Sequence, residues 1–147
     1  MVPYLFATQE LLLFPCGALF WPAEQALIVA DLHFEKARFF AQTGQFLPPY
    51  DSHETALQLA DRIALTNAKK VICLGDSFHD ETGARHMPRA TLDLLQSLES
   101  LAEWIWITGN HDSVAHFMIG RAEPEIRVRG IALCHEASRG RPEPEIS

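Results

Sequence analysis

Four apolar runs in this chain break off in the same way, and that pattern constrains the fold more than any other feature. "ALIVADLH" (26–33) runs into Asp31 and His33. "VICLGDSFHD" (71–80) runs into Gly75, Asp76, His79 and Asp80. "EWIWITGNHD" (103–112) runs into Gly109, Asn110, His111 and Asp112, and "GIALCHE" (130–136) into His135. Four buried strands that each end in turn-forming or metal-binding residues point to one site assembled at one edge of a sheet, where loops leave the strand ends.

The rest of the pattern supports strands linked by helices. "LLLF" and "ALFW" read as strands joined in a hairpin through Pro15-Cys16-Gly17, followed by "ALIVA". Phe34 to Gln42 reads as a short helix ended by Gly44, and "FLPPYD" as an ordered loop, since Pro48-Pro49 cannot continue a helix. Asp51 to Ala68 is the strongest helix. Asp51 and Glu54 have capping-box spacing, and Ala56, Leu57, Ala60, Ile63 and Ala64 share one face. Val71 to Leu74 is a buried strand. Pro88 to Ala102 is a second helix, with Leu92, Leu95, Leu98 and Ala102 on one face. "WIWI" is the next strand, "SVAHFMIG" a short helix, and "IRV" with "IALC" an antiparallel pair turning at Arg129-Gly130. The order is β-rich, then β-α-β-α-β, then β-β, an α/β fold.

The chain has 147 residues, enough for one domain with a real core, so 1–147 is taken as a single unit with a loop-like tail at 137–147. Its net charge of -7 excludes a general nucleic-acid coat or a membrane-surface protein. A phosphorylated substrate is not excluded, because two divalent cations would outweigh the carboxylates of Asp31 and Asp76 locally. Cys16, Cys73 and Cys134 have no CxxC spacing, which fits a reducing compartment and small buried thiols. The N-terminus has no basic region, and Pro15, Gly17 and Pro22 interrupt its apolar run. A soluble, cytoplasmic protein without membrane contact is expected.

At the strand ends, Asp31 and His33 are two apart, so on an extended strand they share a face and can grip one ion; alone, Asp31 reads as a helix N-cap. Gly75 permits a sharp turn beside Asp76, which can bridge two cations or serve as an ordinary turn residue. Gly109-Asn110-His111-Asp112 is the most specific signal: a neutral amide oxygen where other groups supply charge, then a histidine oriented by a carboxylate. His135 gains meaning only in company with the other three ends.

In order and spacing, "DLH", "GD" with a histidine three residues on, "GNHD" and a later histidine resemble the calcineurin-like metallophosphoesterases. "ADLHFEKA", "LPPYD" and "GDSFHD" resemble the subgroup of ligase-associated DNA damage response endonucleases, PdeM. The resemblance implies a four-layer αββα sandwich, two mixed sheets flanked by helices. It implies a metal-dependent phosphoesterase, a phosphodiesterase or nuclease, that hydrolyses phosphate esters through a dinuclear centre and a bridging hydroxide. Asp31 and His33 would bind the first ion, Asp76 both ions, and Asn110 and His135 the second. His111 would sit at the phosphate with Asp112 orienting it, and His79 and Asp80 would either ligate or support the ligands. Mixed oxygen and nitrogen donors without cysteine suit two divalent ions, Mn²⁺ first, with Fe or Zn²⁺ as alternatives. The implied partners are a phosphate-ester or nucleic-acid substrate and DNA ligase- or helicase-associated repair proteins.

The family closes its site with Gly-His-x-His, one histidine for each ion, and no such motif follows His135 here. A truncated chain that lacks its closing strands is therefore expected, with a weak metal centre and little activity of its own. That departure keeps a rival open: a protein that binds metal or a partner without turnover. The absent His-x-His-x-Asp-His run speaks against metallo-β-lactamase chemistry. Lys36, Arg38, Arg85 and Arg89 lie near the motifs and are candidates for holding phosphates; solvated surface cations are the commoner case. His53, His86 and His116 receive no role.

Overall fold

The computed structural model describes residues 1–32, 34, 51–75, 77, 87–108 and 120–136. Strands β1 (Val2–Phe6), β2 (Gln9–Leu13), β3 (Leu19–Trp21) and β4 (Ala26–Ala30) come first, with a 3-10 turn at Pro22–Glu24. Helix α1 (Asp51–Thr66) leads to β5 (Lys70–Leu74), and helix α2 (Arg89–Leu101) to β6 (Glu103–Ile107). Strands β7 (Arg121–Glu123), β8 (Glu125–Val128) and β9 (Ile131–Cys134) follow. Strands β1 to β7 form one mixed sheet in chain order, and β8 pairs with β9 in a second sheet.

Connection length decides the pairing direction. Strands β1 to β4 are joined by short turns and pair antiparallel; β4, β5 and β6 are separated by the helices and pair parallel. Both faces of the parallel strands are covered, which explains their near-continuous apolar sequence. Leu27, Val29, Val71, Cys73, Trp104 and Trp106 point one way, toward Ala56, Leu59, Ile63, Leu95 and Leu98 of the helices. Their neighbours Ala26, Ile28, Ile72, Ile105 and Ile107 point the other way, against Leu133, Ile126, Val128 and Ile131 of the second sheet. The result is the expected α/β sandwich with two sheets face to face and the helices on the outer side of the larger one.

Two polar ties hold the layers in place. The buried indole Nε1 of Trp104 donates to the Leu98 carbonyl at 3.2 Å, satisfying one of the last carbonyls of α2. On the opposite side, Glu24 accepts an ion pair from Arg129 in the β8–β9 turn and another from Lys70 at 3.8 Å, joining the two sheets. That turn is the two-residue one read from the sequence, with φ of 48° at Arg129 and 77° at Gly130, the primed conformation that suits a tight hairpin.

Most predicted elements are present, and the exceptions have physical causes. Strand β1 was not anticipated: all five of its residues are exposed, and its turn uses Ala7 and Thr8 at φ of 46° and 66° without glycine or asparagine. Strand β7, "RAE", is too short and polar to register as a strand. The buried face of α1 is Ser52, Ala56, Leu59 and Ile63, so Leu59 replaces Leu57 and Ala64, which face solvent. Cys16 is exposed, whereas Cys73 is buried as expected. Of the helices read at 34–42 and 113–120 only Phe34 and Gly120 are described, and of the "FLPPYD" loop only the backbone of Asp51, which opens α1; the Asp51 cap side chain and the tail at 137–147 lie outside the described residues.

Trp104 is 1% exposed, stacks on Trp106 at 5.4 Å between ring centroids and caps α2. Trp104→Ala is expected to cost about 3–5 kcal/mol of stability from the cavity and lost transfer energy alone. Urea denaturation followed by far-UV circular dichroism measures it, and a loss below about 1 kcal/mol would contradict this account of the core.

Candidate metal centre

The site is set by where three parallel strands stop. Ala30 pairs with Leu74, and Leu74 with Ile107, so β4, β5 and β6 end level with one another. The residue after β4, Asp31, has φ of 51°, and the residue after β5, Gly75, has φ of 70°. Both chains therefore leave the sheet through a left-handed residue. Aspartate tolerates that region better than most side chains, and such strain in a non-glycine residue concentrates at functional positions.

Beyond those turns the two exits are tied together. The Phe34 N–H donates to the Ser77 carbonyl at 2.9 Å, with Phe34 fully buried and Ser77 3% exposed. The "DLHF" and "GDS" segments are thus joined backbone to backbone one residue beyond positions 33 and 76. Those two residues lie outside the described set. The exit of β6 is held by Thr108, whose N–H donates to the Glu123 carbonyl of β7 at 3.0 Å. Asn110, His111, Asp112, His79 and Asp80 also lie outside the described residues.

His135 arrives from the second sheet, one residue past β9. Its Nδ1 lies 3.1 Å from the Leu74 carbonyl. A carbonyl only accepts, so Nδ1 carries the proton and Nε2 the lone pair suited to a metal, the usual arrangement of a ligating histidine braced by a backbone oxygen. The imidazole lies against Gly75, where any Cβ would clash with its Nδ1 and Cγ and stand 2.8 Å from the His135 Cβ. Glycine at 75 is therefore required twice, for its φ and as the seat of His135.

Asp31 at the end of β4 and His135 against the end of β5 are the two predicted ligands within the described residues. They supply a carboxylate oxygen and an imidazole nitrogen, donors that fit a divalent cation bound without thiolate. Among the described residues no three His, Cys, Asp or Glu side chains stand together, as expected when His33, Asp76 and Asn110 fall outside them. Lys36, Arg38 and Arg85 are likewise outside. Arg89 pairs with Asp93 at 3.0 Å on the exposed face of α2, a surface helix contact. His53 bridges the two helices through Thr91 at 3.1 Å.

The Phe34–Ser77 bond and the dependence of His135 on Gly75 were not legible beforehand. The first is a backbone contact that no side-chain pattern reports. The second was half visible in the glycine of "GDSFHD", read only as a turn residue. No described helix is long and apolar enough to cross a membrane.

The chain belongs to the calcineurin-like phosphoesterase family, whose model matches residues 25–140. Among solved structures it is similar to the Pseudomonas putida nuclease MPE, with a TM-score of 0.64 and 28% sequence identity over 86% of this chain. The chain spans 62% of the length of that nuclease. No curated protein matches the sequence.

Gly75→Ala tests the seat of His135. An alanine held left-handed costs about 1–2 kcal/mol, and its Cβ displaces the imidazole. The expected outcome is that loss of stability together with a fall in Mn²⁺ affinity of about 10–100-fold, read by denaturation and by isothermal titration calorimetry. Unchanged affinity would separate His135 from the metal centre.

Proposed function

We propose that this protein is a metal-dependent phosphoesterase acting as a phosphodiesterase or nuclease. The observation that supports it most is the docking of His135, from the second sheet, against Gly75 at the level ends of β4, β5 and β6. The histidine is carried from one sheet to the strand-end edge of the other, where Nδ1–H donates to the Leu74 carbonyl and Nε2 carries the lone pair that a divalent ion would take. Family membership and the likeness to a nuclease support the same reaction class.

In this reading Asp31 and His33 hold one divalent ion, Asn110 and His135 a second, and Asp76 both. Mn²⁺ is the proposed occupant, with Fe or Zn²⁺ as alternatives. Two such ions would supply positive charge to phosphoryl oxygens and would lower the pKa of a water between them. The residues of the chain do the rest. Left-handed residues at 31 and 75 turn the backbone off the sheet edge at the ends of β4 and β5. The Leu74 carbonyl fixes the ring and tautomer of His135. His111, oriented by Asp112, donates a proton to the departing oxygen, and His79 and Asp80 buttress the ligand loops. The proposed setting is cytoplasmic DNA repair alongside ligase- or helicase-associated proteins, with a nucleic acid or another phosphate ester as substrate.

The experiment compares Asp76→Asn with His111→Ala in the protein as its gene encodes it, using Mn²⁺ and bis(p-nitrophenyl) phosphate. Asp76→Asn is expected to lose bound metal and all hydrolysis. His111→Ala is expected to retain metal and to lose about 10²–10⁴-fold in kcat, the ordinary worth of a general acid. Equal metal loss in both variants would make His111 a ligand. Hydrolysis that persists without metal would overturn the proposal.

A further inference from the structure

A cavity of about 290 Å³ opens beside Asp31 on the helix side of the sheet. Three elements line it: Cys16, Gly17 and Ala18 in the β2–β3 turn, Val29 to Leu32 at the end of β4, and Thr55, Gln58, Leu59 and Arg62 on α1. The pairing of Leu19 with Ile28 places that turn at the same edge where β4 ends, so the cavity and the proposed metal centre share the Asp31 wall.

Arg62 is the one cation among the cavity's described lining residues. The guanidinium lies 5.1 Å above the centre of the Phe14 ring, a cation–π contact that holds its plane in place. Its Nε is buried with no hydrogen-bond partner among the described residues, and among them Arg62 forms no ion pair. A half-buried, oriented guanidinium with no ion pair among the described residues gains a charge-assisted partner when an anion reaches its terminal nitrogens from the cavity. Thr55 and Gln58 add neutral hydrogen-bonding groups, and Val29, Ala18 and Leu59 an apolar wall. The volume lies just below the roughly 300–1,000 Å³ usual for ligand pockets, so it suits a single nucleotide-sized fragment and not an extended polymer.

We propose that this cavity is a subsite for the nucleotide next to the scissile bond, and that Arg62 holds the phosphate of that nucleotide. The proposal rests on the phosphodiesterase reading and narrows it, because a substrate with a second phosphate gains a contact that a small diester cannot make. A planar guanidinium suits both parts of a nucleotide, pairing two of its N–H groups with phosphate oxygens and stacking on a base.

The test uses Arg62→Met, which keeps the apolar stem over Phe14, and Gln58→Trp, which blocks the mouth from an exposed position on α1. Fluorescence anisotropy with a labelled hexathymidylate, in chelator and without metal, reads binding independently of turnover. Both variants are expected to weaken that binding about tenfold or more, the range for losing a hydrogen-bonded charge. With Mn²⁺ present, KM for the oligonucleotide should rise at least tenfold more than KM for bis(p-nitrophenyl) phosphate. Oligonucleotide affinity equal to wild type in both variants would overturn the subsite. Hydrolysis of neither substrate by the wild-type protein as its gene encodes it, with anisotropy still lost in the variants, would instead overturn the phosphodiesterase reading and leave the subsite standing.

Discussion

The level ending of β4, β5 and β6 is the constraint on which the rest depends. Parallel pairing fixes Ala30, Leu74 and Ile107 in one row, and it does so because both faces of these strands are buried. A slip of one residue would turn Val71, Cys73, Trp104 and Trp106 from the helix core into the inter-sheet core, and Ile72, Ile105 and Ile107 the other way. Neither core would accept the exchange, since two stacked tryptophans have been accommodated only on the helix side. Packing thus sets the register, and the register sets how closely the loops that carry the chemistry can approach.

Much of this was legible in the sequence because burial on both faces leaves a strong signal. Runs such as "ALIVA", "VICL" and "WIWI" stand out from their surroundings, and each is followed at once by the polar residues of the site. The elements that escaped notice lack that contrast. Strand β1 is fully exposed and closes through Ala7-Thr8, where turn chemistry usually announces itself with glycine or asparagine. Strand β7 is held by its place beside β6 rather than by apolar side chains of its own. On α1 the choice between Leu57 and Leu59 depends on how the helix is rotated over the sheet, a tertiary decision that its own periodicity leaves open.

The site divides along the same line. Residue types announce Asp31 and His135, but their supports are backbone groups: the Leu74 carbonyl under His135 and the Ser77 carbonyl that receives Phe34. Every residue offers a carbonyl, so the sequence carries no mark of the ones used here. Arg62 shows the converse. As one of twelve cations in an acidic chain it reads as solvated surface, and only the fold brings it over Phe14 and beside the β4 exit.

In the proposed site His135 would give the second sheet a part in the chemistry. A two-stranded hairpin such as β8–β9 is marginal by itself. Here it is held by Leu133 and its neighbours against Ile28, Ile72 and Ile105, and by Arg129 on Glu24. His135 follows directly from β9, so whatever loosens that packing also withdraws the imidazole from Gly75. Binding of an ion by His135 must, by the same linkage, favour the docked hairpin over the undocked one. If His135 binds an ion as proposed, the inter-sheet core and the metal centre stabilise each other, and substitutions at Leu133 or Arg129 would act on the site through the position of one histidine.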